Sequence, residues 1–214
     1  MITHEIKTRA SHWFDLYVNL LEQEIIGSCQ TLLDIGCGNG GHIRGCSPYL
    51  KKAVGVDAFP EVVTKARESG FYTETILAGV DQLTELFEEH SFECVLAFDL
   101  IEHLEKAEGL ALITVMEKLS SKKVVIFTPN GFLPQGPIQG NPYQVHQSGW
   151  SASEMKSLGY TVYGVHGFKD ILGEESLPKW RPYRFWKLVT VLFQPLFLKM
   201  PNMAFQIFCV KVKK

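Results

Sequence analysis

The sequence has no excess of positive charge: 21 Lys and Arg stand against 23 Asp and Glu, a formal net charge of -2. Proteins that grip a polyanion normally carry a basic excess or stripe, so nucleic acid is not expected as a partner. Cysteine is also sparse. Cys29, Cys37, Cys46, Cys94 and Cys209 are odd in number and scattered, which offers neither a disulfide framework nor the paired spacing of a zinc site. The opening residues to Trp13 hold His, Glu, Lys and Arg before any apolar run; without a secretory h-region, a reducing cytoplasm is the expected compartment. Internal repeats and low-complexity tracts are absent.

What is present is enough apolar residue, 46% of 214, to bury one core, so a single domain over 1–214 is expected. Leu16, Leu20, Leu21 and Ile25 recur at helical spacing before Gly27, which predicts an opening amphipathic helix over 11–26. Short apolar runs at 31–35, 53–56, 74–77, 94–98 and 123–127 read as buried strands, with helical patterns at 60–69, 82–88 and 100–119 between them. Strands alternating with helices imply right-handed crossovers and a parallel sheet covered on both faces. The last third differs. Residues 128–149 are crowded with Pro, Gly, Asn and Gln, Ser151 with Glu154 forms a capping box for a short helix ended by Gly159, and strand candidates follow at 161–165 and 204–212. A helical insertion over about 167–202 is expected between those strands.

The chemistry concentrates at Leu32-Leu33-Asp34-Ile35-Gly36-Cys37-Gly38-Asn39-Gly40, a buried strand running into glycines. Residues without a Cβ let the backbone turn sharply and let a ligand touch main-chain N–H groups at the sheet's carboxyl edge. About twenty residues later, Val56-Asp57 ends a second strand with a carboxylate placed to accept from ribose hydroxyls. Gly36, Gly38 and Gly41 also satisfy G-x-G-x-x-G, so a nicotinamide-dependent oxidoreductase has to be weighed, as does a bare tight turn. An acid just before the turn disfavours a pyrophosphate and suits a cationic nucleoside.

Asp34 to Gly40 resembles motif I of the class I S-adenosylmethionine-dependent methyltransferases, and Val56-Asp57 resembles their motif II. The stretch from Ser91 to Phe98 is similar to their strand 4 motif, Glu102-His103-Leu104 to the E-H-L of a small-molecule subgroup, and Phe127-Thr128-Pro129-Asn130 to the end of strand 5. The resemblance implies a Rossmann-like α/β fold: a seven-stranded, mostly parallel sheet with its last strand antiparallel and helices on both faces. It implies S-adenosylmethionine as donor and S-adenosylhomocysteine as product. By position, Asp34, Gly36 and Gly38 would meet the methionyl part, Asp57 the ribose, and Phe98 the cofactor through its backbone, with Cys37 and Ala58 also among the cofactor-binding residues. The acid that faces adenine aligns at Asp81, with Gly79 as the alternative.

Methyl transfer is a direct displacement that needs a base only for a protonated acceptor. His103 and His146 are the candidates, because imidazole titrates near cellular pH. Asp99-x-x-Glu102 reads either as a helix cap or as part of a metal site. Ubiquinone-biosynthesis and small-RNA methyltransferases resemble this stretch but carry E-x-x-E-H on a divalent ion; Asp99 replaces the first Glu here, and no metal is assigned. The acceptor is expected to be a small molecule methylated at oxygen. The apolar stretch 185–198, flanked by Arg181, Arg184, Lys187 and Lys199, falls short of the about twenty residues of a membrane span and is interrupted by Gln194 and Pro195. It is either a helix packed over the acceptor pocket or an interfacial segment for peripheral membrane contact. A non-catalytic scaffold using that surface is the remaining alternative.

Overall fold

The computed structural model describes residues 16–137, 142–171 and 179–213. The first helix, α1 (Leu16–Ile25), buries Leu21 and Ile25 one turn apart, and Gly27, at φ 79°, ends it; the expected start at 11–15 lies outside the described residues. Strand β1 (Thr31–Ile35) leads through the glycine turn to β2 (Lys52–Asp57), α2 (Pro60–Ser69), β3 (Glu74–Leu77) and the short α3 (Leu83–Leu86). Then come β4 (Phe92–Phe98), α4 (Lys106–Leu119), β5 (Ser120–Pro129), α5 (Ala152–Ser157), β6 (Thr161–Phe168), α6 (Tyr183–Lys199) and β7 (Ala204–Val212).

The strands form one seven-stranded sheet in the order β3-β2-β1-β4-β5-β7-β6. The pairs from β3 through β5 are parallel, and β7 runs antiparallel to both neighbours. Side chains of a strand alternate between faces, so β1 sends Leu33 and Ile35 into a core with Val95, Val124, Leu112 of α4 and Met155 of α5. Leu32 goes to the other face with Leu96, Val125 and the α1 residues Leu21 and Ile25. That alternation also assigns Asp34 to the α1 face, where its side chain is fully buried. Helices therefore cover both faces, and the near-continuous apolar runs of β1 and β4 are the sequence trace of that double cover.

Several boundaries differ from expectation. The helix expected over 100–119 splits into a 3-10 turn, Ile101–His103, and α4. Asp99 does not cap anything: it sits at φ 45°, and its carboxylate accepts from the Gln206 side chain. The Ile101 carbonyl is taken by Trp150 Nε1 and Ser148 Oγ, Leu104 is extended, and the helix restarts where Glu108 accepts from the Glu105 amide. Tertiary bonds to the neighbouring loop have displaced the helix start by two turns of chain. The helix expected over 82–88 shrinks to α3 behind a 3-10 turn, Val80–Gln82. Ser151 does cap α5, accepting from Glu154 N at 3.2 Å. No helix among the described residues is long and apolar enough to cross a membrane.

Trp150 locks the loop after β5 onto this frame. It is fully buried, hydrogen-bonded to Ile101 O at 3.1 Å, and carries Lys106 Nζ 3.4 Å above its ring. Gly109, on the second turn of α4, leaves room for it; a Cβ there would lie 2.5 Å from Trp150 Cζ2. Alanine ordinarily stabilises a helix interior by about 1 kcal/mol over glycine, but overpacking a locked aromatic costs about 1–3 kcal/mol. Gly109→Ala is therefore expected to lower the unfolding free energy by about 1–2 kcal/mol in urea denaturation; a stabilised variant would show that the Trp150 contact is loose.

Candidate active site

The parallel strands end together at β1, β2, β4 and β5, and a cavity of about 630 Å³ opens at that edge. On one side it is walled by Gly36, Gly38, Asp57, Ala58, Asp81 and Phe98; on the other by Glu102, His103, Leu133, Gln135, Tyr143 and His146. The first group comes from strand ends and the second from the loops above them. Gly79 and Asp81 both reach the wall, so the two alignments considered for the adenine end converge on one place.

Gly36 and Gly38 adopt φ 69° and 55°, a region that side chains rarely occupy. Gly36 N and Cys37 N both donate to Val56 O, at 2.8 and 3.1 Å. A Cβ on Gly38 would meet nothing within 4 Å, so the space above this glycine is open. Asp57 clasps the turn: Oδ2 accepts from Gly38 N at 3.1 Å and Oδ1 from Phe59 N at 2.9 Å. Burial raises the pKa of Asp57, the backbone N–H groups oppose that, and the nearby Asp34 adds to it. Each carboxylate oxygen keeps lone-pair capacity for a hydroxyl donor.

Beneath the turn lies a buried ion pair. Asp34 Oδ2 accepts from Tyr72 Oη and meets His42 Nε2 at 2.8 Å. Burial alone would depress the pKa of His42, but the charge and hydrogen bond of Asp34, with Asp99 nearby, raise it on balance. His42 stacks on Phe98 with ring centroids 5.0 Å apart and forms part of the cavity wall. Asp34 and Cys37 lie behind that wall, both with 0% exposure. Asp34 Oδ1 has no hydrogen-bond partner, an acceptor left over in a site that suits a cation. The Cys37 thiol packs against Gly55, and burial followed by Asp34 and Asp57 pushes its pKa up, which keeps it protonated and inert. His42 and Tyr72 went unrecognised in the sequence. His42 follows the glycines closely enough to have been suspected, but nothing marks Tyr72.

On the loop side, the backbone carbonyl of Glu102 accepts from Gln147 N and Ser148 N, and Gln147 Nε2 donates to His103 O. These bonds pull the Pro/Gly-rich loop over the edge and bring His103 and His146 together, ring centroids 4.7 Å apart. His103 Nδ1 points at Val145 O and His146 Nδ1 at Leu133 O. With Nδ1–H donating to a carbonyl, each Nε2 carries a free lone pair. Burial, then the neighbouring His146, lowers the His103 pKa to about 4, while backbone carbonyls oppose the shift; burial also lowers that of His146. Glu102 is buried with Oε2 accepting from Thr128 Oγ1 at 2.9 Å and Oε1 without a donor. Burial and then Asp99 raise its pKa, and burial raises Asp99 to about 6 against the pull of His42. A proton on Glu102 shared with Asp99 relieves both the repulsion and the orphaned oxygen. Donor atoms of Glu102, His103 and His146 also lie within 4.8 Å of one another, a set able to take a divalent cation.

An open-sheet α/β protein whose glycine turn and second-strand carboxylate share one cavity belongs structurally with nucleoside-binding Rossmann-like enzymes. Residues 33–117 match the family described as Methyltransferase domain. The chain is similar over its fold to a SAM-dependent methyltransferase from Archaeoglobus fulgidus, at 18% identity and TM-score 0.59 over 93% of this chain and 94% of that one. A Haloferax volcanii putative methyltransferase, solved with its Trm112 activator, aligns at 14% identity and TM-score 0.60 over 98% and 91%. Magnesium protoporphyrin IX methyltransferase from Synechocystis with bound SAM aligns at 13% and 0.52 over 95% and 79%. No curated protein matches the sequence significantly. Residues 33–117 thus carry a match to a methyltransferase domain, on a fold shared with solved S-adenosylmethionine-dependent methyltransferases. The open space over Gly38 and the leftover Asp34 acceptor fit the donor.

Asp57→Ala removes both the ribose acceptor and the clasp on Gly38 N, and is expected to weaken S-adenosylhomocysteine binding about 10–100-fold by calorimetry; unchanged affinity would remove Asp57 from the site. His103 is expected to remain a neutral Nδ1–H tautomer in imidazole nitrogen NMR at about pH 5.5, since its neutral form persists until the pH approaches its depressed pKa. Titration near the ordinary value would show an open, solvated ring.

Proposed function

We propose that this methyltransferase modifies an oxygen of a small-molecule acceptor held between the 98–104 segment and the loop that carries His146. The observation that carries the reading is the His103–His146 pair, two neutral imidazoles oriented by backbone carbonyls and lining the same cavity as the glycine turn. S-adenosylmethionine supplies an electrophilic methyl group on a sulfonium. Gly36, Gly38, Asp57, Ala58, Asp81 and Phe98 would hold that donor, with Asp34 and Cys37 shaping the turn from behind. His103 or His146 takes the acceptor's hydroxyl proton at Nε2, and the loop excludes water from the displacement. Tyr143, Gln135 and Leu133 supply mixed polar and apolar lining for an organic acceptor. Neighbours of similar fold include a protoporphyrin methyltransferase and a plantazolicin methyltransferase, which is consistent with acceptor choice residing in such loops.

A second reading is favoured by the grouping of Glu102, His103 and His146: a divalent cation there would orient and acidify the acceptor hydroxyl in place of a base. The two readings separate in one set of assays, with S-adenosylhomocysteine release followed over a panel of phenols, sugars, quinols and carboxylates. Under the base reading, His103→Ala or His146→Ala lowers kcat by about 10²–10⁴, leaves S-adenosylhomocysteine affinity nearly unchanged, and chelation has no effect. Loss of turnover on chelation, restored by Mg²⁺ or Mn²⁺, would replace the base by the ion. Release with none of the hydroxyl acceptors but with amines would overturn oxygen as the target.

A further inference from the structure

The helix between β6 and β7 is apolar on both sides. Inward, Gln194 and Phe197 of α6 are buried, and Gln194 Nε2 donates to Gly164 O at 3.1 Å. The helix lies directly on the strand: a Cβ on Gly164 would sit 2.5 Å from Phe197 O, and one on Gly167 would meet Thr190. Outward, Phe185, Leu188, Leu192 and Leu196 are between 42% and 65% exposed, while the half-exposed Phe193 joins Phe197 against Phe168 of β6. A surface helix normally turns charge to solvent on that side, whereas here the outward stripe contains Leu188, Leu192 and Leu196 at helical spacing. No α6 residue lines the cavity among the described residues.

The charge around the stripe is one-sided. Residues 179–199 hold five Lys and Arg (Lys179, Arg181, Arg184, Lys187 and Lys199) and no Asp or Glu, in a protein whose net charge is -2. Lys179, Arg181, Arg184 and Lys199 are exposed at the two ends of the stripe, beside exposed Trp180 and Tyr183. Apolar side chains bordered by cations and amphipathic aromatics match the layering of a bilayer surface, where hydrocarbon lies under anionic headgroups. At 17 residues and about 1.5 Å per residue, α6 falls short of the hydrocarbon thickness and can only lie in the interface.

We infer that α6, through its Leu188–Leu192–Leu196 stripe and flanking Lys and Arg, docks this enzyme on a membrane surface carrying anionic lipid headgroups. The placement suits the fold: α6 runs through a 3-10 turn, Pro201–Met203, into β7, whose Phe205 and Gln206 lie on the cavity wall. Docking sets the cavity rim beside the headgroup layer. The inference is independent of which atom is methylated.

The test is flotation of the full-length protein with phosphatidylcholine vesicles, with and without phosphatidylglycerol. Binding is expected only with phosphatidylglycerol and should weaken with added salt. Leu188→Glu with Leu192→Glu should cut vesicle partitioning by about tenfold or more, and Arg181→Glu with Arg184→Glu should abolish the anionic-lipid preference. Both pairs should bind S-adenosylhomocysteine as the parent does, because every substituted residue is exposed and away from the cavity. Leu188→Ser with Leu192→Ser provides the same comparison if the acidic pair fails to fold. Absence of binding to anionic vesicles, equal binding by the leucine variants, or a parent dimer that the leucine variants dissolve would each overturn the inference, the last assigning the stripe to a second copy of the chain.

Discussion

A carboxylate with no solvent access sits near the end of β1, an inner strand of the sheet, and the glycine-turn end of the molecule is arranged around keeping it paired. Alternation along β1 places Asp34 on the face packed by α1, where an isolated charge would be prohibitively costly. His42 and Tyr72 share its Oδ2. Because Tyr72 must reach across to it, Gly40 can carry no Cβ, which would approach Tyr72 Cε2 to 2.5 Å. The glycine turn is thus shaped from beneath by an ion pair and clasped at its crest by Asp57. His42, its partner, stacks on Phe98 and lines the same cavity as the glycine turn.

Burial acts differently on the side chains where the 129–149 loop meets the end of β4: it depresses the proton affinity of His103 and His146 and raises that of Glu102 and Asp99. Two imidazoles that burial keeps neutral stand beside a carboxyl pair that shares one proton and retains one negative charge. The backbone makes this possible. Trp150 and the carbonyls of Ile101 and Glu102 bind the 129–149 loop to the end of β4, so residues more than forty positions apart meet at a fixed distance.

α6 stands outside both arrangements. It contributes to stability through a narrow buried seam on β6, while its outward leucines stay largely exposed. Large apolar side chains kept in water alongside an acid-free run of chain are explained by a surface that is not part of this molecule.

Local patterning was enough to determine the strand sequence, the glycine turn with its two acids, and the capping of α5 by Ser151, because each depends on residues within a few positions of one another. It was also enough to draw Asp99, Glu102, His103 and His146 out as residues of interest. What those residues do depended on the tertiary structure. Asp99-x-x-Glu102 has the spacing of a helix cap, yet Trp150 and Ser148 capture the carbonyl between them and the helix begins later. Asp34 looked like a wall residue, but whether a strand side chain faces ligand or core depends on what covers that face. The outward stripe of α6 was equally undecidable from its composition, since a run apolar on all sides reads the same whether it is buried twice or once. Short-range periodicity is written in the chain; long-range pairing, and the burial and proton affinities that follow from it, exists only after the loops have closed over the sheet.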